Sequence, residues 1–443
     1  MKRFVSWVLI LALSVSVVGC SSISSVTSSQ GPEKIVFWHG LGGSLGEGLN
    51  TIIDAFNEEQ DDYFVEPVVI GSYLEIDERL QAAFAANNAP ALVAGGSHEM
   101  FYSKGLVAYF EDYMPSDYDI EDIVGGFKEA AYRNGKMAFA PAYGTSQVLY
   151  YNKAVLGEVG KTRENLASWQ KIADLRNHVI GIETGQGTLE YVWEPMWGQD
   201  NIADMASSNG GRFLSEDGSM VTINSPEWVE VLEQVRVWLH DDQIMRIHSG
   251  GQGWEYWYKT MDDWVYGKAL GYTGSPGDYV IALEAVQNAV EEGVKNDFAV
   301  VHQPGWKENQ PRPYFSSLMY YIPNSRNVTD SQRKGAAAFI NFATNTENTA
   351  NFAMASGYAA VRNSVLELET YKAYLKSNPD ADAALKQIDL YAVPAFIDPT
   401  GGAIISALSE AVDRVQIENV SAQKALDDAQ AIAQRALEQA GNK

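Results

Sequence analysis

"KIVFWHGLGGSLGEGLNTIIDAFNEEQDDYFVEPVVIG", running from Lys34 to Gly71, changes its hydrophobic period twice. Lys34 to His39 is a short β-branched and aromatic run that ends in glycines, which predicts a buried strand followed by a loop. From Leu45 onward, Leu49, Ile52, Ile53 and Phe56 fall at helical spacing, and Tyr63 to Gly71 returns to a strand pattern. The next stretch repeats the unit: Ile76, Leu80, Ala83 and Phe84 predict a second helix, and "ALVAGG", from Ala91 to Gly96, a third strand. Such alternation predicts a parallel sheet flanked by helices. Sheets of this kind place ligands beyond the carboxyl ends of their strands, here the loops starting at His39, Gly71 and Gly95.

Farther along, "QVLYYN", from Gln147 to Asn152, reads as a strand, and Lys334 to Tyr358 as an amphipathic helix pair ending at Gly357. Ser421 to Gln439 predicts a helix with one apolar stripe. No tandem repeat is visible, which argues against solenoids and propellers. A chain of 443 residues exceeds what one core usually holds, so two domains are expected. Hydrophobic residues at 46% and charged residues at 20% indicate a globular protein.

The amino terminus has the layout of a secretory signal peptide: Lys2 and Arg3, an apolar run from Phe4 to Val18, then Gly19-Cys20. The run is shorter than the roughly 20 residues of a spanning helix. Val17-Val18-Gly19-Cys20 resembles the lipobox of bacterial lipoproteins. That resemblance implies a leader at 1–19, diacylation of Cys20, a Ser-rich tether at 20–33, and an extracytoplasmic protein held to a bacterial membrane by lipid. Cys20 is the chain's only cysteine, so no intrachain disulfide is possible. Without the leader, 30 Lys+Arg stand against 57 Asp+Glu, a formal charge of about −27 that makes nucleic acid a poor partner.

The 11 Trp and 23 Tyr offer flat surfaces for sugar rings as well as core packing. Neither G-x-S-x-G, H-E-x-x-H nor a Walker loop is present. His39, His98, His178, His240, His248 and His302 lack ligand spacing, so no metal, cofactor or catalytic residue is expected. A secreted glycoside hydrolase stays open as an alternative, because 57 acidic residues always contain some plausible carboxylate pair.

Five separated segments together resemble the extracellular solute-binding proteins of ABC importers, in the class that binds sugars and glycerol-3-phosphate. They are Phe37–Gln60, Gly144–Leu156 ("GTSQVLYYNKAVL"), Trp264–Ser275 ("WVYGKALGYTGS"), Ala336–Val365 and Ser421–Ala429 ("SAQKALDDA"). The resemblance implies an α/β, two-lobe periplasmic-binding-protein fold of type II, with the ligand in the interlobe cleft. Lobe one would hold 34–142 and 302–356, and lobe two 146–298 and 358–443. Crossovers would fall near Tyr143–Ser146, Ala299–Val301 and Gly357–Tyr358. The implied function is non-enzymatic: a monomer captures a carbohydrate by lobe closure and delivers it to the permease subunits of the importer.

The same resemblance supplies contact residues. Trp38 and His39 would sit at the cleft edge, His39 as the polar contact and Trp38 there or in the core. Tyr73 would offer an aromatic hydroxyl, Thr145 and Ser146 would act at the first crossover, Ser275 in lobe two and Tyr358 at the last crossover. Trp193 and Trp197 are stacking candidates with Glu183, Glu190 and Gln199 as a polar rim, although their spacing of four also suits an ordinary helix face. The glycerol-3-phosphate-binding members place an acidic residue where this chain has Ala94-Gly95, and an arginine where it has Gly401. A neutral sugar or oligosaccharide is therefore preferred over glycerol-3-phosphate or a glycerophosphodiester, with Phe396, Asp398 and Gly401 as an open wall.

Overall fold

The computed structural model describes residues 31–71, 73–196, 198–248 and 255–441. The leader, Cys20, most of the tether and Trp197 lie outside them. No helix among the described residues is long and apolar enough to cross a membrane.

The opening segment folds as its periodicity predicts. Strand β1 (Glu33–His39) lies between and parallel to β2 (Tyr63–Val69) and β3 (Leu92–Ala94), with α1 (Gly43–Glu59) and α2 (Tyr73–Ala85) as the connections. Alternate β1 residues part to opposite faces. Ile35 and Phe37 enter a core with Leu49, Ile52 and Phe56 of α1, while Trp38 packs toward Val68 and Tyr73 on the other side. β4 (Ala140–Ser146) completes this part of lobe one, and β5 (Val148–Asn152) opens a second sheet. That sheet also contains β6 (Tyr191–Pro195), β7 (Ala269–Gly274) and β8 (Phe298–His302), in the order β8-β5-β7-β6. Helices α3 (Gly198–Ser208) and α4 (Glu255–Val265) belong to this lobe. The chain returns through β9 (Tyr314–Pro323), which pairs antiparallel with β3 and β4, so both sheets are mixed rather than wholly parallel.

The expected helix pair is α5 (Asp330–Ala343) and α6 (Thr346–Ser356). Asn345 caps α6 by accepting the Asn348 N–H at 2.8 Å, and Gly357 ends it at φ +83°, a conformation that only glycine enters without cost. Then come α7 (Ala383–Leu390), β10 (Val393–Pro394) paired with β9, α8 (Ala403–Gln416) and α9 (Ala422–Gly441). Ile404, Leu408, Val412 and Leu426 of the last two helices join Trp228 in the core of lobe two.

Backbone pairing moves all three expected crossovers. Ser146 still pairs with Phe315 in lobe one, whereas Val148 pairs with Gly274 and His302 in lobe two, so the first change of lobe occurs at Gln147. All of β8, including Ala299–Val301, pairs with β5, and Trp306 stays buried in lobe two with its N–H on Ser208 Oγ at 2.8 Å. The return therefore comes just before Tyr314 rather than at 302. Gly357–Tyr358 is no crossing either. Ala359 pairs with Gly144, and Val361 enters the core of lobe one. The third passage runs through 378–395, where Asp380 Oδ2 accepts the Val300 N–H at 3.1 Å and β10 returns to β9.

Two buried side chains fasten the passages together. Asp204 of α3 accepts the Tyr314 N–H and the Gln303 amide, each at 2.7 Å, and the Gln147 amide at 3.4 Å. Gln387 of α7 accepts the Gln303 N–H at 2.6 Å and donates to Ser146 Oγ at 2.8 Å and to the Gln147 carbonyl at 2.7 Å. Burial holds the Asp204 carboxyl well above the ordinary range, against the opposing pull of the Tyr314 N–H. Replacing Gln387→Ala strips partners from a buried N–H and a buried carbonyl. The expected loss is about 2–4 kcal/mol of unfolding free energy in urea titrations at pH 7. An unchanged midpoint would show that the junction does not depend on this amide.

Candidate ligand site at the lobe seam

Tyr73 opens α2, and its ring lies over the glycines that end β1 and β3. A Cβ added at Gly40 or Gly95 would stand 3.0 or 2.5 Å from Tyr73 Cε1, so side chains at those loops would displace the ring. The Tyr73 hydroxyl is 3.3 Å from that of Tyr143 on β4, and the Tyr143 ring packs at 4.5 Å against Tyr358. Tyr358 reaches the other lobe, where a Cβ at Gly277 would lie 2.6 Å from its Cζ. Beside it, Thr145 Oγ1 stands 3.4 Å from Ser275 Oγ, the one hydroxyl in lobe one and the other in lobe two. Gly357 also meets lobe two: a Cβ there would fall 2.2 Å from the Pro276 carbonyl oxygen.

Ser275 is fixed before any ligand arrives. Its Oγ accepts the Gly277 N–H at 3.1 Å, and its carbonyl accepts the Tyr150 hydroxyl at 2.7 Å. Three residues on, Asp278 Oδ1 accepts the Trp257 indole N–H of α4 at 3.1 Å. Burial pushes the Asp278 carboxyl up to about 7. Burial likewise raises the phenols of Tyr73, Tyr143 and Tyr358, so all three remain protonated and able to donate at neutral pH.

Tyr73, Thr145, Ser275 and Tyr358 are thus brought together as expected; other expected contacts fall elsewhere. His39 follows Ile35 and Phe37 onto the inner face of β1, fully buried at 5.2 Å from the Phe37 ring, and burial pushes its pKa down to about 4. Trp38, on the opposite face, keeps partial exposure and packs with the Tyr73 cluster. The Ser146 hydroxyl is committed to the junction, donating to the Tyr314 carbonyl at 2.9 Å. Trp193 belongs to a strand, not a helix, and is buried between Trp169 at 5.4 Å and Trp238 at 5.0 Å, which removes it as a stacking surface.

The expected open wall is also occupied. Phe396 stacks on Phe213 at 4.3 Å, and Asp398 caps α8 by accepting the N–H groups of Ile404 at 2.9 Å and Ile405 at 3.1 Å. Gly401 is exposed at φ +75° and brings no cation to that loop. Sequence reasoning missed Tyr143, Trp257 and Asp278. The one available signal was the Asp three residues after Ser275; "EYWYK", from Glu255 to Lys259, resembles any aromatic helix face.

The profile of the bacterial extracellular solute-binding protein family matches residues 51–380. The chain belongs to that family. Among curated relatives, the sn-glycerol-3-phosphate-binding periplasmic protein UgpB of Pectobacterium atrosepticum is 24% identical over 379 residues, 81% of this chain and 80% of that one. Among solved structures, UgpB of Mycobacterium tuberculosis in complex with glycerophosphocholine has a TM-score of 0.76 at 19% identity, over 92% of this chain and 99% of that one. The cyclic alpha-maltosyl-1,6-maltose binding protein of Arthrobacter globiformis has a TM-score of 0.71 at 17% identity, over 92% and 100%. This solute-binding protein therefore has the two-lobe type II fold and is a binding protein, not an enzyme.

Asp278 gives the solute-binding protein a pH signature. Its folded pKa, about 7, lies above the unfolded value near 3.8, so the folded state holds a proton that the unfolded chain has released across that window. Stability from this group is intact below pH 4 and is lost as pH climbs toward 7. Asp278→Asn is expected to melt close to wild type at pH 4 and to gain on it by several degrees at pH 8, as read by calorimetry. An equal difference at both pH values would contradict the raised pKa.

Proposed function

We propose that the protein captures a neutral carbohydrate outside the cytoplasmic membrane and delivers it to the transmembrane subunits of an ABC importer. The observation that carries this reading is the composition of the seam. Its polar atoms are neutral hydroxyls of Tyr73, Tyr143, Thr145, Ser275 and Tyr358, backed by the Asp278 carboxyl, with no Lys or Arg among them. Hydroxyl donors and aromatic rings match the rim and C–H face of a sugar. A dianionic phosphate would instead want a guanidinium, and the position where the resemblance places one is Gly401. The likeness to the maltosyl-maltose binding protein supports a sugar; the likeness to UgpB keeps glycerol-3-phosphate or a glycerophosphodiester as the alternative. Trp257, tied to Asp278, takes the stacking role first given to Trp193.

The mechanism follows from the geometry. Ligand enters with the lobes apart, closure about the Asp204–Gln387 junction brings Ser275 and Gly277 toward Thr145 and Tyr358, and the closed form docks on the permease. In this reading the mature protein is a monomer attached through diacylated Cys20, so that capture occurs beside the transporter.

Thermal shift of residues 21–443 with mono- and oligosaccharides, glycerol-3-phosphate and glycerophosphocholine tests the proposal. A neutral saccharide should raise the melting temperature while the phosphate esters do not. Tyr358→Ala and Trp257→Ala should each weaken that saccharide by about tenfold or more, roughly 1.4 kcal/mol, in calorimetric titrations. A shift with a phosphate ester alone would overturn the carbohydrate reading.

A further inference from the structure

Lobe two holds a second polar cluster that the seam does not use. Glu194 on β6 is fully buried, yet among the described residues neither carboxylate oxygen accepts a well-aligned hydrogen bond. It stands opposite Tyr272 of β7, whose ring lies 5.1 Å from Trp264 of α4. Beside β6 runs a short strap: Met245 bridges Trp193, and Arg246 and His248 follow. His248 Nε2 is 3.5 Å from Glu194 Oε2 and 2.7 Å from Oδ2 of Asp263 on α4. One ligand atom from each of Glu194, His248 and Asp263 lies within 4.8 Å of the others.

Two cations already attend this cluster. Lys268 Nζ is 3.3 Å from Asp263 Oδ1, and Arg246 pairs with Asp263 while its guanidinium covers the Tyr191 ring at 4.6 Å. Arg246 serves Glu194 poorly. Its Nε approaches Oε1 at 3.3 Å, but neither atom makes an aligned hydrogen bond. A planar fork committed to Asp263 cannot also turn squarely to Glu194, whereas a point-like dication among three converging ligand atoms satisfies all of them. Two carboxylate oxygens and one imidazole nitrogen, with a fourth position left open, form a donor set suited to zinc.

We propose that Glu194, His248 and Asp263 form a binding site for one zinc ion, which displaces the Arg246 guanidinium and ties β6, the strap and α4 together. Arg246 is itself partly exposed. The ligands come from three separate segments with no zinc-site spacing, so no motif announces the site.

Calorimetric titration and thermal unfolding of residues 21–443 in zinc chloride, after chelator treatment, test the site. Wild type should bind about one equivalent and melt several degrees higher. Arg246→Ala should lose stability without zinc, regain it with zinc, and bind at least tenfold more tightly because the competitor is gone. The double variant Arg246→Ala/His248→Ala should fold without regaining stability. A wild type indifferent to zinc, an Arg246→Ala variant that zinc does not rescue, or a response undiminished in the double variant would each overturn the proposal. A rise with calcium but not zinc would overturn the donor-set assignment.

Discussion

A chain that passes between two sheets must leave its ladder hydrogen bonds behind, and buried N–H and C=O groups cannot go unpaired. In this protein Asp204 and Gln387 meet that requirement, taking up the backbone of Gln147, Gln303 and Tyr314 where the sheets stop. Everything about the seam depends on this junction. It sets Thr145, two residues before the passage at Gln147, against Ser275, and it leaves the two lobes joined by side-chain hydrogen bonds rather than by a continuous sheet. Such bonds reorient at small cost if partners are exchanged and at large cost if partners are lost. The junction therefore permits bending while resisting separation.

Much of the first lobe was legible because its signal is periodic. Phe37 and Phe56 announce a strand and a helix by spacing alone, and Gly357 announces a helix end by its freedom at positive φ. The crossovers were not legible, since nothing in "AYGTSQVLYY" distinguishes the residue that pairs with Phe315 from the one that pairs with His302. The site divided along the same line. The expected hydroxyls of Tyr73, at the start of α2, and of Ser275 do lie at the seam. His39 is turned inward with Phe37 by strand alternation, and Trp193, read as a stacking ring or as part of an ordinary helix face, lies buried on a strand. Trp257 was passed over because an indole that packs and an indole that also donates to a buried carboxylate have the same one-dimensional signature.

The electrostatics of the seam are those of a site built from neutral donors. Burial raises the phenols and lifts the Asp278 pKa to about 7. A surface with so little charge gives up little hydration when the lobes close, so closure does not have to overcome the desolvation of ions. The formal charge of the whole chain, −25, favours solubility.

Gly277 and Gly357 set how near the lobes approach each other through atoms they lack: a methyl group at either would strike Tyr358 or the Pro276 carbonyl. Neither residue supplies a side chain to a solute. Divergence at these two positions would change the resting angle of the receptor. A lineage can in this way retune how readily an empty receptor imitates a loaded one, and hence the idle turnover of its transporter.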